Sequence, residues 1–219
     1  MSESPLASNF PTLSRLTPGE TMFFLNPGKV KGEDILRVTF QDLMLRRVLD
    51  FVIRPHPTHT RIKMYIVKHG RAFTSTAALP HEQLITRALR VKAYMDLRHM
   101  TDEWLRACGS KKEFFREHLR TNRIEPYMED KFRDRYLGRL KLNEQGEKMA
   151  LRIRSEVQSA NNAIQTWEDP VDQQLFMHTV KGHVMLMEAK DWPAVKLLRG
   201  VGAIFDQCMG LASERAYGD

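Results

Sequence analysis

Cysteine is nearly absent from this chain: Cys108 and Cys208 are the only two in 219 residues, with no C-x-x-C and no histidine at finger spacing. That scarcity excludes a disulfide framework and a zinc knuckle, and it predicts two buried, reduced thiols. Long hydrophobic runs are also lacking. Stretches such as Met22-Phe23-Phe24-Leu25 and Val184-Met185-Leu186-Met187 fall far short of the roughly 20 apolar residues that a membrane span needs. Met1 to Phe10 carries Glu3, neither Lys nor Arg, and no apolar centre, so it does not read as a secretory signal. A cytoplasmic setting is expected, with peripheral attachment to a membrane left open. Catalytic signatures are missing as well: there is no G-x-S-x-G, no phosphate-binding Gly loop followed by Lys-Ser/Thr, no H-E-x-x-H and no G-x-G-x-x-G after a strand. No cofactor is expected, and no enzyme class is indicated. An active site assembled from dispersed residues stays as an alternative.

What is present is an ordinary globular composition with a cationic surplus. A hydrophobic fraction of 42% beside a charged fraction of 28% predicts that most of the chain folds. Lys and Arg outnumber Asp and Glu by 34 to 27, giving +7, a balance that favours anionic partners such as nucleic acid or acidic lipid headgroups.

Residues 1–15, rich in Ser, Pro and Asn, are expected to form a flexible tail. Thr17-Pro18-Gly19-Glu20 is a capping box with proline at the first helical position, and Asn26-Pro27-Gly28 ends the short helix that follows. A second short helix is predicted over Glu33–Val38. Thr39 then caps a longer one, amphipathic through Phe40, Leu43, Met44, Val48 and Leu49. Beyond Pro55 and Pro57 the period shortens, and Ile62, Tyr65–Val67 and Phe73 flank Lys68-His69-Gly70-Arg71 as the turn of a hairpin. Three helices and a hairpin make residues 16–80 a winged-helix-like unit.

Residues 81–219 are expected to be helical. One long helix runs from Pro80 to about Cys108, and Ser110 caps a second. A short helix follows Pro126, and Asn143 opens one reaching about Trp167. Asp169-Pro170 and Trp192-Pro193 start the last two. A second wing is expected near 136–142, where Tyr136–Leu142 alternates before Asn143. The predicted fold class is thus mainly α with short β-hairpins, a winged-helix-like N-terminal part packed on a helical C-terminal part.

The order of these motifs resembles the Golgi phosphoprotein-three-like family, a helical fold with small hairpins. The likeness rests on Leu16-Thr17-Pro18-Gly19-Glu20 with its apolar follow-on, then Asp42-Leu43-Met44-Leu45-Arg46-Arg47-Val48-Leu49, then the hairpin, about the first third of the chain. Eukaryotic members use a tryptophan and several arginines as a phosphoinositide pocket. This chain has no tryptophan before Trp104, so the resemblance implies a fold and does not carry that pocket over.

Two basic patches are candidate anion-binding surfaces. The first is Arg61, Lys63, Lys68 and Arg71 on the hairpin. The second is Arg133, Arg135, Arg139 and Lys141 around the expected second wing, within a segment from Lys111 to Arg154 that holds thirteen cations and eight acids. Guanidinium forks match phosphate oxygens. Their bland readings are an edge strand guarded by cations and a salt-bridged solvated face. Were the chain a DNA regulator, Gln41, Arg46 and Arg47 would be the base-reading residues. His56 and His59 stand at H-x-x-H spacing without a third ligand, so no metal is expected. The methionine-rich C-terminal helices read as core, or by analogy as a homodimer surface. The leading expectation is a non-enzymatic binding or adaptor protein engaging an anionic partner, an acidic lipid headgroup or a phosphate polymer. A winged-helix DNA-binding regulator and an enzyme of unrecognised type are the alternatives.

Overall fold

The fold is that of a computed structural model whose described residues are 10–73, 79–109, 111–129, 140–164, 169–188 and 192–217. It is mainly helical, with one three-stranded antiparallel sheet among the described residues. The first helix, α1 (Pro18–Leu25), starts where the capping box places it. Glu20 Oε2 accepts the Thr17 N–H at 2.7 Å, and the Thr17 hydroxyl accepts the Glu20 N–H at 3.3 Å.

A single helix, α2 (Gly32–Leu45), replaces the two that were expected. Thr39 does not cap anything. Its hydroxyl donates to the Ile35 carbonyl at 2.6 Å, four residues back, and so is satisfied inside a continuous helix. The same helix stops earlier than its apolar pattern suggests. Arg47 takes φ 59°, its N–H donates to Met44 O, and the Val48 N–H donates to Leu43 O at 2.9 Å. This is a Schellman ending with arginine where glycine is usual, closed by the buried pair Leu43 and Val48.

Leaving the helix, the chain forms β1 (Leu49–Pro55) and returns as β2 (Lys63–His69), with Leu49 opposite His69 and Val52 opposite Ile66. The turn is therefore residues 56–62, not Lys68–Arg71. The two prolines sit where no ladder N–H is required. Gly70 lies instead at the hairpin base, its Cα so close to the Arg47 carbonyl that an added Cβ would be 2.2 Å from the oxygen.

The long helix expected from Pro80 to Cys108 is divided. After α3 (Pro80–Val91), residues Tyr94–Asp96 form β3 on the free side of β2, and the Asp96 carboxylate caps α4 (Leu97–Cys108) by accepting the Arg98 N–H at 2.9 Å. Then come α5 (Lys111–Phe114), a wider π-turn at Phe115–Leu119 and a 3-10 turn at Glu125–Tyr127. Next, α6 (Glu144–Ile164) has the Asn143 side chain accepting the Gly146 N–H at 2.9 Å. Asp169 caps α7 (Pro170–Val180), a 3-10 turn follows at Lys181–Leu186, and α8 (Pro193–Tyr217) ends the described chain. Most of the expected second wing near 136–142 lies outside the described residues. Within them, Leu142 forms one isolated bridge with Met128.

Phe40 of α2, Trp104 of α4 and Phe205 of α8 meet with ring centroids 5.6–6.0 Å apart and anchor the core. One hydrophobic cluster runs from Phe10 to Ala212 and includes Cys208. The N-terminal expectation fails at residues 10–15. Phe10 packs edge-on against Phe176 at 5.9 Å, Leu13 is buried, and the Glu156 carboxylate accepts the N–H groups of Thr12 and Leu13 at 3.0 and 2.9 Å. Two buried apolar side chains and a carboxylate on two amides outweigh the polar composition that suggested a tail.

Gly70→Ala should lower the free energy of unfolding in urea by about 1–3 kcal/mol, because its Cβ has backbone and not a movable side chain to displace. Gly28→Ala, with open space around it, should stay within about 0.5 kcal/mol of wild type.

Candidate functional site

The hairpin separates into two halves with different surroundings. Near its base, Phe51 stacks on Tyr65 at 6.2 Å, Arg98 lies 5.6 Å over the Tyr65 ring, and Val67 is buried. From Ile53 to Lys63 every residue except His56 is exposed, so this half stands off the body. It presents Arg54, Arg61 and Lys63 beside exposed Ile53 (49%) and Ile62 (43%), the register putting Ile53 and Lys63 on one face of the hairpin and Arg54 on the other. No Asp or Glu occurs from Phe51 through His69. None of the three cations has an ion-pair partner among the described residues. In the turn, the rings of His56 and His59 stack at 5.5 Å and the Thr58 N–H donates to His56 Nδ1 at 3.3 Å. Among the described residues no three His, Cys, Asp or Glu gather as a metal site.

Arg61, Lys63, Lys68 and Arg71 are all exposed, but they do not form one even patch. Register puts Asp50 directly opposite Lys68 on the same face, so an acid does accompany the base of the hairpin. His69 is held by its Nε2–H, which donates to the Leu89 carbonyl at 2.6 Å, and it stacks on Phe73 at 3.8 Å. Arg54 was missed in the sequence because β1 was read partly as helix. Phe51, Val52 and Ile53 form an apolar run that helix and strand share, and the pairing with β2 is what reveals the strand.

Arg133, Arg135 and Arg139 lie outside the described residues, and Lys141 is exposed. Several other cations of that segment are neutralised: Arg116 by Glu117 at 2.8 Å, Arg120 by Glu125, Arg123 by Glu20 at 3.2 Å and Lys148 by Glu144 at 2.6 Å. The expected reading helix is turned inward. Gln41 is 3% exposed and donates to the Leu198 carbonyl at 2.8 Å, and Arg46 is engaged by two acids; only Arg47 of the three faces solvent.

Comparison with protein-family models, curated proteins and solved structures gives no match.

Beneath the surface lies a second constellation that no local motif announced. Arg46 Nε contacts Asp42 Oδ2 at 2.8 Å while its terminal nitrogen pairs with Glu82, joining α2 to α3. The Asp42 Oδ1 accepts the Gly182 N–H at 2.7 Å, an approach so close that a Cβ on Gly182 would stand 2.5 Å from that of Asp42. Burial pushes the Asp42 carboxyl above its ordinary value, against the pull of Arg46 and the Gly182 amide. Burial likewise raises Glu20, opposed by the Thr17 amide and Arg123. His81 Nε2 meets the Thr17 hydroxyl at 3.1 Å. His183 donates through Nδ1 to the Val180 carbonyl at 2.7 Å, which leaves its Nε2 to accept from the Thr21 hydroxyl at 2.9 Å. Both rings are held in the neutral form, with burial lowering each to about 4.

Both histidines titrate near 6.5 in an unfolded chain and near 4 in the fold. Between those values the unfolded chain binds protons that the folded chain refuses, so each histidine's contribution is intact above pH 6.5 and is lost as pH falls toward 4. Glu20 and Asp42 act in the opposite sense, because the fold holds their protons to higher pH than the unfolded chain does. His183→Gln should therefore shrink the stability difference between pH 7 and pH 4.5, read from urea midpoints, by about 2 kcal/mol relative to wild type. An unchanged difference would mean that His183 is not held neutral.

Proposed function

We propose that this protein is a non-enzymatic binding or adaptor protein that docks on an acidic membrane surface through the outer half of its hairpin. One observation carries the reading: on the outer half of the hairpin Arg54, Arg61 and Lys63 stand exposed with no acid among residues 51–69, and exposed Ile53 and Ile62 lie at the same tip. Cations near an anionic leaflet contribute about 1 kcal/mol each. The isoleucines add burial in the headgroup boundary. Together these give weak, salt-sensitive attachment that a second contact would reinforce. No helix among the described residues is long and apolar enough to cross a membrane, so any attachment by helices would be peripheral.

Between the two anionic partners, a lipid surface is favoured over a phosphate polymer. Single-stranded nucleic acid is bound on exposed aromatic platforms, whereas here Phe51 and Tyr65 stack on each other near the base and the outer half offers aliphatics. Duplex readout is weakened further by Gln41 lying in the core. The winged-helix-like reading of residues 16–80 belongs to the same proposal, with α1 and α2 as its helices and residues 53–63 as the wing. So does the likeness to the Golgi phosphoprotein-three-like family, which the Thr17 cap and the Asp42–Leu49 segment at the hairpin base support.

Sedimentation with phosphatidylserine-containing vesicles should show binding that weakens as salt rises, and neutral vesicles should bind far less. Replacing Arg54, Arg61 and Lys63 together by Gln should reduce binding at least about tenfold, on the order of 1 kcal/mol per charge, with the urea midpoint unchanged. Equal binding to neutral vesicles, or tighter binding to duplex DNA at the same salt, would contradict the proposal.

A further inference from the structure

Away from the hairpin, a solvent-open cavity of about 220 Å3 is walled by five segments far apart in sequence: Ser14–Pro18, the end of α2, the start of α3, Arg123 and the Lys181–His183 turn. Its size is that of about seven waters. We propose that this cavity binds a small free oxyanion of the phosphate or carboxylate class between Arg15, Arg123 and Lys181.

Two acids also line the cavity, Asp42 and Glu82, but their oxygens are already committed. Asp42 gives one to Gly182 N–H and one to Arg46; Glu82 gives one to Arg46 and one to the Leu79 N–H at 2.9 Å. They fix Arg46 at one wall and leave little capacity to receive a cationic ligand. Arg123 is tethered on one side by Glu20. Arg15 and Lys181 have no ion pair among the described residues, so the uncompensated charge on the lining is positive. Two guanidinium groups and an ammonium on the lining of one cavity suit an oxyanion with several acceptor oxygens.

Lys181 adds an independent sign. Its backbone adopts φ 52° and ψ −137°, a conformation that favours glycine and costs a lysine about 1–3 kcal/mol. The strain is kept where this side chain lines the cavity. Apolar lining is limited to Leu16, Pro18 and Leu79, which offers an acyl chain little to cover it, so the ligand is a free anion and not a lipid.

Isothermal titration of the full chain with sodium phosphate, and separately with citrate, at low ionic strength tests this. The expected result is saturable 1:1 binding of at least one of the two. Arg15→Gln and Lys181→Gln should each weaken it about tenfold, the loss of one charge-assisted hydrogen bond. Neither substitution removes a buried contact, and thermal melts verify the fold. The hairpin triple variant should bind as wild type does, which separates this site from the membrane proposal. The inference is overturned if neither anion binds by about 10 mM, a threshold far weaker than a millimolar site. It is equally overturned if both variants keep wild-type affinity, or if only vesicle-borne phosphate elicits a response.

Discussion

Arg46 held between Asp42 and Glu82 is the contact on which the rest of this structure turns. Both carboxylates are almost wholly buried, and a buried charge is costly unless paired and hydrogen-bonded. The guanidinium, reaching from the last turn of α2, satisfies both and fixes α3 against it. One residue later, Arg47 enters a left-handed conformation and releases the chain into β1. Asp42 reaches the other way, to Gly182, and so draws the turn after α7 onto α2. One guanidinium thereby ties α2 to α3 just before the hairpin starts and forms part of one wall of the cavity.

The outer hairpin and the inner network divide the charged residues into two populations. Arg46, Asp42 and Glu82 are consumed in holding elements together. Arg54, Arg61 and Lys63 hold nothing. Cations that contribute nothing to packing on a half-hairpin standing clear of the body are available for a partner, and the exposed aliphatics at the same tip favour a membrane surface over a stack of bases.

Short-range chemistry was legible in the sequence. The Thr17–Glu20 box and the Asp169-Pro170 start appear where the residues place them, because caps depend on neighbours within four positions. The hairpin's existence was legible from the change of period, but its turn was not. Leu49, Phe51, Val52 and Ile53 extend an apolar pattern that helix and strand share, and the helix stop uses arginine where glycine would have announced it. Tyr94–Asp96 was absorbed into a helix for a similar reason: only pairing with β2 makes it a strand. The inner network could not be read at all. Thr21 with His183, and Asp42 with Gly182, are separated by 162 and 140 positions, and no periodicity connects residues so far apart.

The central claim is tested most directly by the stability of Arg46→Leu against that of Arg54→Leu in equilibrium urea unfolding. Removing Arg46 leaves two buried carboxylates without their cation and should cost about 3–5 kcal/mol, whereas the exposed Arg54 should change stability by no more than about 0.5 kcal/mol. Equal and small effects for the two would contradict the account.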